Sequence, residues 1–457
     1  MTAVPREIDR ARLRALLERE RAKYVSDHPR SRELFARARA TLLSGVPMSF
    51  MGMLTGASPL FFEGAMGNRI TDVDGHTYID FCLGDTGAMA GHSPAPVLEA
   101  VQERLQIKGG MTTMLPTEDA TYVGAELQRR FGLPYWQFAL TATDANRWVL
   151  RMCRMAQSRP RVLVFSGCYH GTVDETIVIV GRDGRPMAKP GNVDPQVDPT
   201  QTTRVVEFND VEALATALRP RDVACVLMEP WMTNIGIVPP QPGFLETVRA
   251  LCDETGTLLV NDETHTFSAG IGGCTRAYGL RPDVVTIGKA IAGGVPIGAY
   301  GVTEELAARI LGDPDADLVD QGGVGGTLAG NAMASAAARA TLEHVLTDAA
   351  FAHMIGLGTA YTEGVQAVLD EYAVPWVIVQ LGARAEYRFC PQVPRTGNQS
   401  RAAHDGEIEE YLHLYTLNRG LFITPFHNMA LMCPDTSRAD VDRHTEVFRA
   451  AVRELFD

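Results

Sequence analysis

The sequence has no surplus of basic residues: its 42 lysines and arginines are outnumbered by 55 aspartates and glutamates, which gives a formal net charge of −13. A surface of this sign disfavours nucleic acid and anionic lipid as partners. The sequence also lacks a run of about 20 apolar residues, which a membrane span requires. The highly charged residues 1–23 lack the apolar core of a signal peptide. We therefore expect a cytoplasmic protein that acts on small molecules.

Cysteine pairs are absent too. The eight cysteines form no Cys-x-x-Cys motif and mostly fall in apolar stretches, which is typical of reduced core thiols and not of a disulfide framework. We expect no metal site. At 457 residues, the chain exceeds the size at which a single hydrophobic core stops growing, so a large domain with a smaller companion is expected.

Short, continuous apolar runs alternate with helical segments between about residues 93 and 309. The clearest runs cover residues 162–165, 224–228, 257–260 and 284–287. Strands that are apolar on both faces and separated by helices are typical of a mostly parallel sheet covered on both sides, so the sequence predicts an α/β fold. In such sheets ligands bind beyond the carboxyl ends of the strands, where Glu229, Asp262 and Lys289 fall.

Three further segments have recognisable patterns. Residues 6–23 carry leucines at helical spacing among charged residues, which predicts an amphipathic helix. Residues 71–81 predict two short strands about an Asp-Gly turn. The alanine-rich residues 332–345 predict a long helix that leads into a smaller α+β region.

Lys289 carries the strongest chemical signal. It lies in a glycine-rich turn after one apolar run, and Asp262 ends the neighbouring run. A lysine so placed can form a Schiff base with an aldehyde cofactor, while the aspartate can keep a pyridine nitrogen protonated. The pair therefore indicates pyridoxal 5'-phosphate (PLP) as the cofactor.

Two other segments suit a planar, phosphorylated ligand. Residues 141–143 (Thr-Ala-Thr) precede a helical stretch, so their backbone N–H groups would point out of a helix N-terminus toward an anion. The alternative is a plain helix cap formed by Thr143 or Asp144. Tyr169 and His170 lie in a glycine-rich loop after the first apolar run, and such a loop can bring an aromatic ring flat against a ligand.

These segments, taken in order, resemble the class III (ω-type) aminotransferases of the aspartate-aminotransferase superfamily, and most closely the branch that contains glutamate-1-semialdehyde aminomutase. The likeness covers nearly the whole chain and is strongest around Lys289, with matching motifs at residues 44–46, 91–93, 167–171, 229–230, 262–263, 282–301 and 326–331. It implies a fold-type-I PLP-dependent transferase. The implied domains are an N-terminal helix and strands that join the small domain and the dimer contacts, a large PLP-binding domain, and a C-terminal small domain, at residues 1–75, 76–335 and 336–457.

The resemblance also implies a role for each matching residue. Lys289 would carry the Schiff base and move a proton between substrate and cofactor, Asp262 would pair with the pyridine nitrogen, and Tyr169 would stack on the ring. Further contacts with the cofactor are implied for Thr141, Ala142, Thr143, His170, Glu229, Asn234, Thr264 and Thr327. The last of these reaches the phosphate from the other subunit in this family, which implies a homodimer with shared active sites.

The substrate side departs from the aminomutases. They have an arginine for the substrate carboxylate at the position of Met51, which here lies in an apolar loop with Phe50 and Met53. A buried carboxylate without a cation is costly, so the loop favours an aryl or alkyl group; alternatively, these side chains only pack the domain. Arg384 and Arg388 could clamp a carboxylate from the small domain, or form a solvated ion pair on its surface.

Together these features predict a PLP-dependent aminotransferase. It would move an amino group from an amine or amino acid with a bulky apolar group to an oxo acid or ketone in a ping-pong cycle. Because the residues that activate the cofactor do not decide which bond is broken, an aminomutase, racemase or decarboxylase is an alternative. A remoter alternative is a non-catalytic binder of a phosphorylated ligand, in which Lys289 only neutralises charge.

Overall fold

The computed structural model describes residues 7–53, 58–191, 198–312, 324–425 and 427–456. The chain forms two compact units. The large unit consists of Ala95–Asp348 and Pro394–Ala402, and the small unit of Met1–Pro94, Ala349–Val393 and Ala403–Asp457. The small unit is thus assembled from three stretches of sequence that lie far apart along the chain.

The helices are, in chain order, α1 Arg10–Asp27, α2 Pro29–Ala38, α3 Ala95–Glu103, α4 Glu118–Phe131, α5 Ala142–Gln157, α6 Val211–Leu218, α7 Phe244–Thr255, α8 Gly273–Ala277, α9 Glu304–Gly312, α10 Ala332–Ala340, α11 Asp348–Glu371, α12 Gly397–Ala402, α13 Gly406–Leu417 and α14 Arg438–Phe456. The strands are β1 Phe62–Met66, β2 Arg69–Asp72, β3 Thr77–Asp80, β4 Tyr135–Ala139, β5 Arg161–Phe165, β6 Val178–Val180, β7 Pro186–Ala188, β8 Thr203–Val206, β9 Val223–Met228, β10 Leu258–Asp262, β11 Val284–Ile287, β12 Gly298–Val302, β13 Val377–Leu381, β14 Arg384–Arg388, β15 Leu421–Phe422 and β16 Met429–Leu431. None of the described helices is both long and apolar enough to cross a membrane.

A seven-stranded sheet forms the centre of the large unit, in the order β4-β12-β11-β10-β9-β5-β8. Only β12 runs antiparallel to its neighbours. The four apolar runs predicted as strands are β5, β9, β10 and β11, and the last three are buried along their whole length. The predicted α/β fold with a mostly parallel sheet is therefore confirmed.

The small unit contains two antiparallel arrangements of strands. The predicted hairpin is confirmed, because β2 and β3 pair antiparallel on either side of the Asp-Gly turn, and β15 adds to β3 in parallel. The predicted N-terminal helix is α1, whose Leu13 and Leu17 are buried. The first residue of α1 is tied to the start of α13, where Arg10 and Asp405 form an ion pair of 2.5 Å.

The reading of Arg384 and Arg388 as a solvated surface pair is wrong. Both lie on β14, the central strand of the sheet β13-β14-β16, and every residue of β14 is buried. Arg388 Nη1 lies 3.8 Å from the carboxylate of Glu386, which is itself fully buried. Alternating charges are typical of an exposed strand face, but here both faces of the strand are covered.

His444 on α14 makes the stability of the small unit depend on pH. It is fully buried, and its Nε2 lies 3.1 Å from the hydroxyl of Tyr361. Burial lowers the pKa of His444 from the ordinary value of 6.5 to about 3. Below pH 6.5 the unfolded chain therefore binds a proton that the folded chain does not. The free energy of unfolding accordingly falls by about 1.4 kcal/mol for each unit by which the pH is lowered, until the pH reaches about 3.

We expect the substitution His444→Phe to remove this dependence. Phenylalanine keeps the ring that stacks on Phe448 but has no titrating nitrogen. Between pH 7.5 and 5, the free energy of unfolding measured with urea should fall by about 2 kcal/mol more in the wild type than in the variant. Equal losses in the two proteins would show that protonation of His444 is not linked to unfolding.

Candidate active site

The N-terminus of α5 forms an anion cradle. Thr141 is the N-cap, since its Oγ1 accepts a hydrogen bond of 3.2 Å from the Asp144 N–H; the alternative that Thr143 or Asp144 is the cap is wrong. The first intrahelical bond runs from Ala145 to the carbonyl of Thr141 at 3.1 Å. The N–H groups of residues 142 and 143 precede that bond and point out of the helix, where they can bind an anion.

Glycines allow two loops to pack directly on this cradle. A β-carbon at Gly171 would lie 2.0 Å from the Thr143 hydroxyl, and one at Gly288 would lie 2.9 Å from the β-carbon of Ala142. The first glycine follows His170, and the second precedes Lys289. The close approach therefore brings the aromatic loop and the lysine turn to the start of one helix.

Gly298, at the start of β12, allows a third close approach. A β-carbon there would lie 2.3 Å from the carbonyl oxygen of Thr141, which is backbone and cannot rotate away. We expect Gly298→Ala to lower the free energy of unfolding by about 2–3 kcal/mol through overpacking. Gly124→Ala on α4, where nothing lies within 4 Å, is the matched control and should raise it by about 1 kcal/mol. Chemical denaturation checks both values, and equal effects would contradict the assigned crowding.

Asp262 ends β10 at the centre of a buried polar network. Its carboxylate accepts hydrogen bonds from His170 Nδ1 at 2.9 Å, Asn146 Nδ2 at 2.8 Å and the Thr264 N–H at 3.0 Å. The Asn146 oxygen in turn accepts from the hydroxyl of Thr286 at 2.6 Å. Two neighbouring strands and α5 thus fix the orientation of the carboxylate.

Asp262 and His170 stabilise each other's charged forms. Burial raises the pKa of Asp262, but the hydrogen bond and charge of His170 outweigh burial and lower it to about 2. Burial likewise lowers the pKa of His170, and the neighbouring Cys168 and Asp262 more than offset it, so this pKa lies well above its ordinary value. The pair is an imidazolium–carboxylate pair at neutral pH.

Lys289 occupies a strained turn. Its φ is +48°, in the left-handed region that favours glycine. Its Nζ lies 2.8 Å from Nε2 of His265, which is itself buried. The turn therefore presents the amine from a backbone conformation that the surrounding packing has to enforce.

Glu229 follows β9, the neighbour of β10, and holds the loop beyond it. Its carboxylate accepts hydrogen bonds from the Thr233 N–H at 3.1 Å and Asn234 Nδ2 at 3.2 Å. Glu229 and Asn234 are therefore in contact with each other, and their implied contacts with the cofactor stay predictions. Burial raises the pKa of Glu229, and this rise exceeds the lowering by His170 and Thr233.

The remaining predicted residues differ in exposure. Tyr169 is 43% exposed, Thr327 lies in an exposed turn, and Thr264 is buried. In the small unit Met51 is 42% exposed, so it does not fill the interior of the unit, and Phe50 is half-buried. The side chain of Met53 lies outside the described part of the chain. The predicted roles of all these residues stay predictions.

The sequence assigned no role to three members of this site. Asn146 and Thr286 connect α5 and β11 to Asp262, and His265 contacts the lysine amine. The available signal was a polar residue within an otherwise apolar buried surface, since Asn146 is fully buried on α5 between apolar residues.

The large unit contains the kinds of groups that could hold PLP. It combines an anion cradle, a charged carboxylate at a strand end and a lysine amine, all within elements that pack on α5. Two buried polar atoms, Nε2 of His170 and Oγ1 of Thr264, have no hydrogen-bond partner among the described residues. Buried polar atoms of this kind indicate a place for a polar ligand.

Comparison with known proteins places this site in context. Residues 53–452 match the profile of the family described as Aminotransferase class-III. Glutamate-1-semialdehyde 2,1-aminomutase 2 of Brevibacillus brevis is 30% identical over 436 residues, which are 93% of this chain and 99% of that protein. The structure of a lysine-to-alanine variant of a glutamate-1-semialdehyde aminomutase from Pseudomonas aeruginosa PAO1, in complex with PMP, is 46% identical, with a TM-score of 0.95 over 98% of this chain and 99% of that one. An omega-transaminase from Sphaerobacter thermophilus is 27% identical, with a TM-score of 0.85 over 94% and 99% of the two chains.

Proposed function

The chain belongs to the class-III aminotransferase family of PLP-dependent enzymes, and on that premise we propose that it is an aminomutase, which moves an amino group between neighbouring carbons of one substrate. The observation that carries the proposal is the structural similarity to the Pseudomonas aeruginosa aminomutase, which extends over nearly the full length of both chains. We propose glutamate 1-semialdehyde, the substrate in that protein's name, as the first compound to test. The aminomutase is the alternative that the sequence left open, and the relatives favour it over transfer from an amine with a bulky apolar group to an oxo acid or ketone.

When bound, PLP supplies an aldehyde that links to amines and a ring that attracts electrons from the neighbouring carbon. The N–H groups of residues 142 and 143 and the hydroxyl of Thr143 would hold its phosphate, and Tyr169 would cover one face of the ring. Asp262, which keeps its charge down to about pH 2, would hold the ring nitrogen protonated. His170 then acts on Asp262, as a positioning residue.

Lys289 would both anchor the cofactor and carry the proton. Once an amine substrate has released it, its Nζ is a base that can take a proton from one substrate carbon and return it elsewhere. His265, 2.8 Å from this Nζ, would fix its direction. An aminomutase needs this proton movement twice, since the amino group leaves one carbon and is returned to the next.

We also propose the homodimer that the resemblance implies. Thr327 lines a cavity of about 260 Å³ with residues 112–116 and 329–332. Met114, Leu115 and Leu328 in the same segments are 78%, 70% and 49% exposed, and apolar exposure on this scale is typical of an interface. Light scattering of the purified protein at twice the mass of one chain supports the pairing, and a monomer contradicts it.

An intermolecular aminotransferase is the second candidate. It is favoured by the loop before residue 53, which has no arginine and exposes Met48 and Met51 by 47% and 42%. Such a surface suits an apolar substituent better than a carboxylate.

One experiment separates the two candidates. The holoenzyme is given glutamate 1-semialdehyde alone, and 5-amino-4-oxopentanoate is followed by NMR. An aminomutase gives many turnovers without an added acceptor, because the amino group returns to the same carbon skeleton. If product forms only from an apolar amine together with pyruvate or 2-oxoglutarate, the aminotransferase is the correct assignment.

A further inference from the structure

Three side chains of types that can bind a metal ion lie close together in the small unit, where the junction of α1 and α2 meets the hairpin of β2 and β3. They are His28, between the helices, Asp72, at the end of β2, and His76, just before β3. One donor atom from each lies within 4.8 Å of the others. Nε2 of His28 is 3.3 Å, and Nδ1 of His76 is 3.0 Å, from the same Asp72 oxygen.

The histidine at the centre is prepared as a ligand. His28 is 3% exposed, and its Nδ1 lies 2.7 Å from the carbonyl oxygen of Tyr24. A carbonyl only accepts, so Nδ1 carries a hydrogen, and Nε2 is the nitrogen through which the ring can bind a metal. A backbone carbonyl behind one nitrogen is the usual support of a histidine that binds metal through the other.

The carboxylate is equally fixed. Asp72 is fully buried, and its other oxygen accepts hydrogen bonds from the N–H groups of Asp74 at 2.9 Å and His76 at 2.8 Å. These bonds are made by Oδ1, so Oδ2 is held facing the two histidine rings.

One hydroxyl, that of Tyr78, also contacts two members of the cluster. The Tyr78 hydroxyl lies 2.8 Å from both Nε2 of His28 and the Asp72 oxygen, but it has one hydrogen and can satisfy only one of them. Nδ1 of His76 lies 3.0 Å from the same Asp72 oxygen and can donate to it when no metal is bound. A cation between Nε2 and the carboxylate would take the place of these hydrogen bonds.

We propose that His28, Asp72 and His76 form a Zn²⁺ site that ties the N-terminal helices to the β2–β3 hairpin. Two imidazoles and one carboxylate suit zinc, whereas Mg²⁺ and Ca²⁺ prefer oxygen ligands. Tetrahedral bonds of about 2.0–2.1 Å place donor atoms about 3.3 Å apart, close to the two shorter separations. The side chain of His76 is 42% exposed, so zinc has an entry path and a fourth position for water. This site does not depend on the proposed enzymatic function.

Titration calorimetry of chelator-treated holoenzyme with ZnCl₂ tests the site. The wild type should bind one Zn²⁺ at these residues, and His76→Ala should weaken the dissociation constant at least about tenfold. The matched control is His344→Ala, which removes a histidine of similar exposure, 56%, beside Glu343, and should bind as the wild type does. Zinc should also raise the melting temperature of the wild type and of the control, but not of His76→Ala.

Anomalous diffraction at the zinc edge locates the ion without any variant. A peak between His28, Asp72 and His76 supports the proposal. It is overturned if these side chains carry no peak at saturating zinc, or if His76→Ala binds zinc as tightly as the wild type.

Discussion

Lys289→Ala is expected to reduce turnover on the order of 10⁴-fold or more while leaving the protein folded. In the proposed role, Lys289 supplies both the amine that links to PLP and the base that moves the proton, so the substitution removes both functions at once. Turnover is measured with the substrate that the preceding tests identify. Circular dichroism and urea unfolding establish that the fold is retained.

The scarcity of lysine makes this prediction sharp. The chain has four lysines, at positions 23, 108, 189 and 289. Borohydride reduction of the PLP-loaded enzyme should therefore mark a single peptide, and that mark should be absent in Lys289→Ala. Lys108→Ala is the control, since Lys108 is exposed and pairs with Glu103 at 3.1 Å; it should remain active and labelled. An active, labelled Lys289→Ala protein would refute the role given to this residue.

Asp262→Asn is expected to lower turnover on the order of 10²–10³-fold. Asparagine is nearly the same size, but its neutral amide neither stabilises a protonated ring nitrogen nor holds the charge of His170. The loss should appear mainly in the rate constant, with PLP still bound through its phosphate. Cofactor content is measured by absorbance after denaturation, and rates are measured from pH 6 to 9.

The pH dependence of the wild type gives an independent test of the same residue. Because the pKa of Asp262 is lowered to about 2, the carboxylate stays charged throughout this range and contributes no loss of rate on its acidic side. Asp253→Asn is the control, since Asp253 is 60% exposed. Asp262 has no electrostatic role if its variant retains the wild-type rate with full cofactor content.

The sheet of the large unit could be predicted because burial on both faces leaves a simple signal. β9, β10 and β11 appear in the sequence as unbroken apolar runs. β12 and β4 were not foreseen: β12 is glycine-rich, and most residues of β4 are only partly buried or exposed. Their pairing depends on contacts between segments that lie far apart in the chain.

The site was predictable only in part, for a related reason. Lys289, Asp262 and the start of α5 carry local signals, a glycine turn, a strand end and a helix start. Asn146 and His265 gain their meaning from contacts across the fold, at 2.8 Å in each case. The same holds for the cluster of His28 and His76, whose members no sequence motif links.

At position 289 the residue that the proposed activity requires is not the residue that would make the fold most stable. Glycine tolerates the φ of +48° found there. The free energy of unfolding of Lys289→Gly should therefore exceed that of Lys289→Ala by about 1 kcal/mol. The side chain that the proposed chemistry requires thus stands on a backbone conformation that disfavours it. A screen that selects variants for thermostability alone, without measuring activity, would therefore favour glycine at position 289 and lose the lysine.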